Sequence, residues 1–117
     1  MRRIYLETSV WGMLAPEQDP MLRQPTMDLL KQCKQHRFAA CVSPVVVNEV
    51  RLAPAEVQEL ILRRMDEIKP EMLALSPEAD ELAQRFIREG VVPARRIDDA
   101  RHVACALVNE VGWLISW

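Results

Sequence analysis

The sequence lacks the features that mark several large classes of protein. Only 3 of its 117 residues are glycine, and it has no glycine-rich phosphate loop, which argues against an enzyme of the dinucleotide-binding kind. No apolar run approaches the roughly 20 residues that span a bilayer. The segment that follows Met1 is too short and too polar for a signal peptide. We therefore expect a cytoplasmic protein with no membrane partner.

The net charge is small and cysteines are few. The net charge of −2 shows no excess of basic residues, which argues against binding nucleic acid through bulk positive charge but not against local contact with it. The three cysteines, Cys33, Cys41 and Cys105, are an odd number and have no C-x-x-C spacing. We expect them to be reduced thiols packed as small apolar side chains.

The residues that are present indicate one globular α/β domain over residues 1–117. Half of them are hydrophobic and 27% are charged. Short strands are predicted at residues 3–6, 38–42, 73–75 and 113–116. Longer segments of helical period are predicted at about residues 25–36, 54–69, 76–90 and 98–112. Residues 44–51 suit either a strand or a short helix, and we favour the helix. Strands that alternate with helices predict a parallel sheet covered on both faces.

Acidic residues fall where such a sheet binds ligands, at the carboxyl ends of its strands. Glu7 follows the first strand, Glu49 follows the second, and Asp98-Asp99 begins the helix that leads to the last. Carboxylates gathered without matching arginines favour a divalent cation such as Mg²⁺ or Mn²⁺. Such an ion can activate water for attack on a phosphodiester.

Neighbouring residues could support that site. Thr8 and Ser9 would hold the attacking water or a ligand carboxylate. Arg95 and Arg96 lie just before Asp98, separated from it by Ile97, and are candidates for contact with a phosphate.

Each acid also has a structural interpretation. Glu7 could simply end a strand, with Thr8 or Ser9 capping the next helix. Glu49 could lie on a solvated helix face, and Asp98-Asp99 could stabilise a helix N-terminus through its dipole. The residues taken alone leave both interpretations open.

Three segments resemble motifs of PIN domains, a family of metal-dependent ribonucleases that includes many toxins of toxin–antitoxin pairs. The segments are Ile4-Tyr5-Leu6-Glu7-Thr8-Ser9-Val10-Trp11, Ser43-Pro44-Val45-Val46-Val47-Asn48-Glu49-Val50 and Ile97-Asp98-Asp99-Ala100-Arg101-His102-Val103-Ala104-Cys105-Ala106. The closing Trp113-Leu114-Ile115-Ser116-Trp117 resembles the strand before the fourth active-site position.

The resemblance implies a three-layer α/β/α sandwich with a central, mostly parallel sheet. It implies that Glu7, Glu49 and Asp99 are catalytic metal ligands, with Asp98 as a further helper. The implied activity is cleavage of single-stranded RNA with Mg²⁺ or Mn²⁺. The implied partners are RNA, an antitoxin protein and a second copy of the chain.

The sequence departs from the family pattern in two ways. Glu7 stands where the family usually has aspartate, which shifts the carboxylate by one methylene. The chain also stops at Trp117, where a fourth polar position and a final strand would follow. We therefore expect a C-terminally truncated domain that lacks its last strand and self-associates through the open edge. A catalytically weak or inactive PIN-like binding module is the alternative function.

Overall fold

The computed structural model describes all 117 residues. The elements, in chain order, are β1 (Arg2–Leu6), α1 (Thr8–Gly12), α2 (Pro20–Lys34), β2 (Phe38–Val42), α3 (Pro44–Val50), α4 (Ala55–Ile68), β3 (Glu71–Met72), α5 (Pro77–Arg88), a 3₁₀ turn (Ala94–Arg96), α6 (Ile97–Val108) and β4 (Leu114–Ile115).

The four strands form one sheet in the order β3-β2-β1-β4, and every pair of neighbours is parallel. Helices α2 and α4 pack together beside the sheet, whereas α5 and α6 form a second packed pair. Right-handed crossovers place the two groups on opposite faces. The predicted α/β sandwich with a parallel sheet is therefore confirmed.

The core lies between the sheet and these two helical layers. The carboxyl halves of β1 and β2 are buried on both faces and carry a nearly continuous apolar run, as expected for central parallel strands. Helix α6 presents small side chains to this core, including Ala100, Ala104 and Cys105. His102, in the first half of α6, bonds Tyr5 and Glu49, which places the N-terminal end of α6 at the carboxyl edge of the sheet.

The helical interpretation of residues 44–51 is confirmed. Ser43 precedes α3, and its Oγ accepts a hydrogen bond from the Val45 N–H at 3.2 Å, while Pro44 occupies the first helical position. The cap and the proline together outweigh the strand preference of the valines. As a result the chain turns sharply after β2, and Glu49 remains near the strand ends.

Three predicted boundaries are wrong. Helix α6 ends at Val108 rather than near residue 112, because Glu110 adopts a left-handed backbone conformation that ends the helix. Helix α2 begins at Pro20 rather than near Pro25, because the Asp19 carboxylate caps the Met21 N–H and Pro25 is tolerated inside the helix. Strand β3 lies at Glu71–Met72 rather than at residues 73–75. Strand β3 pairs with β2 at an exposed edge of the sheet, where Glu71 forms an ion pair with Arg3 at 2.8 Å. The apolar residues 73–75 therefore follow the strand and do not form it.

No helix combines the length and apolar character needed to cross a membrane. The connection from β1 leads to β2 on one side, and the connection from β3 returns across the sheet to β4 on the other. The order of the strands therefore switches between β1 and β4. In open parallel sheets this is the place where ligands bind, and the acids predicted as ligands follow β1 or lie on the neighbouring helices.

Candidate metal centre at the sheet switch point

Glu7 lies at the switch point itself. It follows β1, and its N–H donates to the Ile115 carbonyl at 3.1 Å, which aligns it with the end of β4. The Ser116 hydroxyl donates to Glu7 Oε2 at 2.5 Å. Ser9 adds to this link, since its Oγ accepts from the Trp117 N–H at 2.9 Å. Two segments more than 100 residues apart in sequence are thus joined by side chains.

Glu7 also marks the boundary between β1 and α1. The residue occupies the position before α1, but its side chain makes no capping hydrogen bond. Thr8 does not cap the helix either, because its hydroxyl donates to Glu49. The predicted cap by Thr8 is therefore wrong, whereas the interpretation of Glu7 as the end of a strand agrees with its place directly after β1.

Glu49 is held from two sides. Its Oε1 accepts from the Thr8 hydroxyl at 2.7 Å and lies 2.5 Å from His102 Nε2. Burial alone would raise the pKa of Glu49, but the hydrogen bonds from His102 and Thr8 act in the opposite direction, and the net pKa is below its usual value. Glu49 is therefore ionised near neutral pH, and the interpretation as a solvated helix face is wrong.

His102 connects Glu49 to the interior. Its Nδ1 lies 2.6 Å from the Tyr5 hydroxyl, which in turn lies 2.8 Å from Ser43 Oγ. Tyr5, Ser43 and His102 are all buried. Both ring nitrogens of His102 therefore have partners inside the protein, and neither is free to bind a metal ion.

The aspartates have cationic partners that the sequence analysis did not anticipate. Asp99 pairs with Arg96 at 2.7 Å, and Asp98 pairs with Arg101 at 3.1 Å. In each pair the two residues are three positions apart, and both aspartates lie in the first turn of α6, where the helix dipole also favours acids. The premise that these acids lack matching arginines is wrong for Asp98 and Asp99. Arg95 is exposed and forms no ion pair.

The donor chemistry of this edge fits Mg²⁺ or Mn²⁺, but three ligands are not assembled in this conformation. Carboxylate oxygens are the donors that these ions prefer, and Mg²⁺ often uses only one or two of them together with water and substrate phosphate. No group of three or more His, Cys, Asp or Glu side chains is arranged to hold a metal ion. The structure brings Glu49 to Thr8 and His102 and brings Glu7 to Ser116, while Asp99 is paired with Arg96.

Sequence reasoning missed the residues that support the acids. The sequence predicts Tyr5 and Ser116 only as members of strands and of segments that resemble PIN domains. A signal for Tyr5 was present, because a buried tyrosine hydroxyl normally requires a hydrogen-bond partner. No local signal identified His102 as that partner, because the two residues are 97 positions apart in sequence.

Comparison with known proteins extends the fold assignment. No family model matches the chain, and no curated protein matches its sequence. Among solved structures, it is similar to a chain of VapBC2 from Rickettsia felis, crystallised with a DNA fragment from their promoter. The TM-score is 0.58 over 98% of both chains, at 13% sequence identity. At that identity the similarity shows a shared fold alone, and it supports the PIN-like fold that the sequence motifs predict.

Proposed function

We propose that this protein is a divalent-metal-dependent endoribonuclease that hydrolyses phosphodiester bonds of single-stranded RNA. The observation that carries the proposal is the hydrogen bonding of distant segments at the switch point. Thr8 after β1 contacts Glu49 of α3, and Glu49 contacts His102 of α6. Asp99 lies one turn before His102, on the same face of α6.

Glu7, Glu49 and Asp99 would hold Mg²⁺ or Mn²⁺, with Asp98 in support. The bound cation would supply a water of lowered pKa and would offset negative charge on the phosphate. Thr8 fixes the Glu49 carboxylate, and Ser116 fixes that of Glu7. The length of the Glu7 side chain suits this arrangement, because its carboxylate reaches the end of β4.

Asp99 would exchange Arg96 for the cation. The ion pair is exposed on both sides, and exposed pairs typically contribute only about 0–1 kcal/mol, so little opposes the exchange. The released Arg96 would then lie beside the site, where its guanidinium, together with Arg95, would contact an RNA phosphate.

Mn²⁺ titration calorimetry tests the proposed ligands. We expect the wild-type protein to bind Mn²⁺, and Glu7→Gln, Glu49→Gln and Asp99→Asn each to weaken binding strongly. Asp66→Asn removes an exposed carboxylate on α4, and it should bind as the wild type does. Equal affinity in all five proteins would show that these acids are not the ligands.

A PIN-like binding module without catalysis is the second candidate. It is favoured by the absence of an assembled three-ligand group and by the Arg96–Asp99 pair. If the wild-type protein fails to bind Mn²⁺ at millimolar concentration, this candidate replaces the nuclease. If Glu7→Asp gains Mn²⁺ binding or RNA cleavage, the extra methylene of the Glu7 side chain is instead the cause of weak activity in the wild type.

We further propose that the chain pairs with an antitoxin protein and self-associates. The similarity to VapBC2 supports an antitoxin partner. Strand β4 is paired on one side only, and Trp113 and Trp117 beside it are about half exposed, which supports association between copies. Light scattering after size-exclusion chromatography should give a mass above 13.5 kDa, and a monomer at all concentrations would exclude self-association.

A further inference from the structure

The buried polar side chains of this protein are concentrated in one hydrogen-bonded chain. Apart from Thr26, whose hydroxyl donates to the Leu22 carbonyl within α2, the buried polar side chains are Ser43 and His102. Both are bonded to Tyr5, the single tyrosine, which is also fully buried. Burying hydroxyls and an imidazole is costly unless each is hydrogen-bonded. If these positions served packing alone, apolar side chains would fill them without the cost of burying polar groups.

The protons of this hydrogen-bond network can be assigned so that each hydrogen bond has one donor and one acceptor. Glu49 Oε1 accepts from the Thr8 hydroxyl, and a carboxylate oxygen in this position accepts from His102 Nε2 as well. His102 Nδ1 can then accept from the Tyr5 hydroxyl, and Tyr5 can accept from the Ser43 hydroxyl. Ser43 Oγ accepts in turn from the Val45 N–H. In this assignment every donor has one acceptor, and each hydrogen bond is donated toward Glu49.

The hydrogen-bond network ends at the Glu49 carboxylate, and one oxygen of that carboxylate accepts no hydrogen bond within the protein. Both hydrogen bonds to Glu49 go to Oε1, from Thr8 and from His102, and none goes to Oε2. Oε2 is not fully buried, since the one buried side-chain atom without a partner in the protein is Nε of Arg64. The network thus fixes one oxygen of Glu49 and leaves the other available at the switch point.

We propose that His102, held by Tyr5, is the positioning residue that orients Glu49 and presents its Oε2 to the cation of the proposed nuclease. This inference rests on the proposed function for the identity of the ligand, but the orientation itself exists without a metal ion. Residues that orient metal ligands in this way typically change metal affinity about 10–100-fold when they are replaced.

The orientation can be measured in the metal-free protein by ¹⁵N NMR of the histidine rings in EDTA. We expect His102 to show a single tautomer with the proton on Nε2 and with Nδ1 as an acceptor. The exposed His36 serves as the internal control. Tyr5→Phe should shift the Nδ1 resonance of His102 and leave His36 unchanged. A mixture of His102 tautomers, or no response to Tyr5→Phe, would overturn the inference whatever the protein does with metal ions.

Mn²⁺ affinity then separates positioning from simple packing. His102→Leu keeps the volume but removes the donor, and it should weaken Mn²⁺ binding about 10–100-fold. His102→Gln retains a side-chain N–H and should recover most of that affinity. Leu30→Ala, a truncation elsewhere in the core, should lower stability without changing Mn²⁺ affinity. Equal Mn²⁺ affinity in His102→Leu and wild type would overturn the inference.

The two proposals fail separately. If the wild type does not bind Mn²⁺ but the NMR results are as expected, the nuclease proposal falls and the orientation of Glu49 by His102 stands. If the wild type binds Mn²⁺ but the tautomer or the His102→Leu result is contrary, the positioning role falls and the nuclease proposal stands. Should His102→Leu not fold, His102→Gln and Tyr5→Phe carry the comparison.

Discussion

Glu49 is the residue on which the polar contacts of the site converge. It receives hydrogen bonds from α1 and from α6 through one oxygen. Burial alone would raise the pKa of Glu49, and the hydrogen bonds from His102 and Thr8 bring that pKa below its usual value. The sequence could identify Glu49 as a candidate ligand from its place after β2. It could not reveal the two donors, which come from residues 41 and 53 positions away.

Replacing Thr8 tests one of these donors. Thr8→Val keeps the shape but removes the hydroxyl, so we expect the free energy of unfolding to fall by about 1 kcal/mol. Thr8→Ser keeps the hydroxyl and should lose less than half of that amount. Urea unfolding in EDTA measures both. Equal stability of the valine and serine variants would show that the hydrogen bond to Glu49 contributes nothing to folding.

Arg96 offers a second test at the residue scale. Arg96→Gln removes the competitor for Asp99, so Mn²⁺ affinity should rise by at most about fivefold, the value of an exposed ion pair. Arg85→Gln breaks a comparable exposed pair with Glu89 on α5, and it should leave Mn²⁺ affinity unchanged. A fall in Mn²⁺ affinity in Arg96→Gln would contradict the proposed competition.

At the scale of elements, local signals predicted strand β2 and the ends of α4 closely. Strand β2 has the predicted bounds, and α4 ends before Pro70 as expected. The errors arose where tertiary contacts overrode local patterns. Strand β3 is short, exposed and joined to Arg3 across the sheet, so its hydrophobicity carried no signal. The early start of α2 depends on the Asp19 cap, which the presence of Pro25 concealed.

Two serine caps provide a matched comparison between elements. Ser76 only caps α5, where its Oγ accepts from the Ala79 N–H at 3.1 Å, so Ser76→Ala should lower the free energy of unfolding by about 1 kcal/mol. Ser43 caps α3 and also bonds Tyr5, so Ser43→Ala should cost about 1 kcal/mol more. Thermal unfolding measures both losses. Equal losses would show that the Ser43–Tyr5 bond is energetically silent.

At the scale of the whole molecule, a parallel sheet, two helical layers and the switch point could be predicted from the order of strands and helices. The sheet places Glu7 beside β4, but only the register between β1 and β4 sets Ser116 against it. Register depends on packing across the whole domain, so the sequence alone did not indicate this contact. The same holds for the ion pairs that occupy Asp98 and Asp99.

The buried thiols predict how the whole molecule responds to alkaline pH. Burial raises the pKa of Cys33 to about 11, from an ordinary value of 9.0. Burial also raises the pKa values of Cys41 and Cys105. Between about pH 9 and pH 11 the unfolded chain loses these protons first, so stability should fall as pH rises. Urea unfolding across this range measures the fall, which Cys33→Ala should reduce. If the free energy of unfolding falls as steeply with pH in Cys33→Ala as in the wild type, the buried Cys33 thiol does not contribute to the fall.

The central claim is that the carboxylates at the switch point support metal-dependent cleavage of RNA. The most direct measurement is Mn²⁺-dependent cleavage of a single-stranded RNA by the wild type, Asp99→Asn and the control Asp66→Asn. We expect cleavage by the wild type and the control, and a loss of about 100-fold or more in Asp99→Asn, because a metal ion supplies several kcal/mol of charge stabilisation. Equal cleavage by all three proteins, or none by the wild type, would contradict the account.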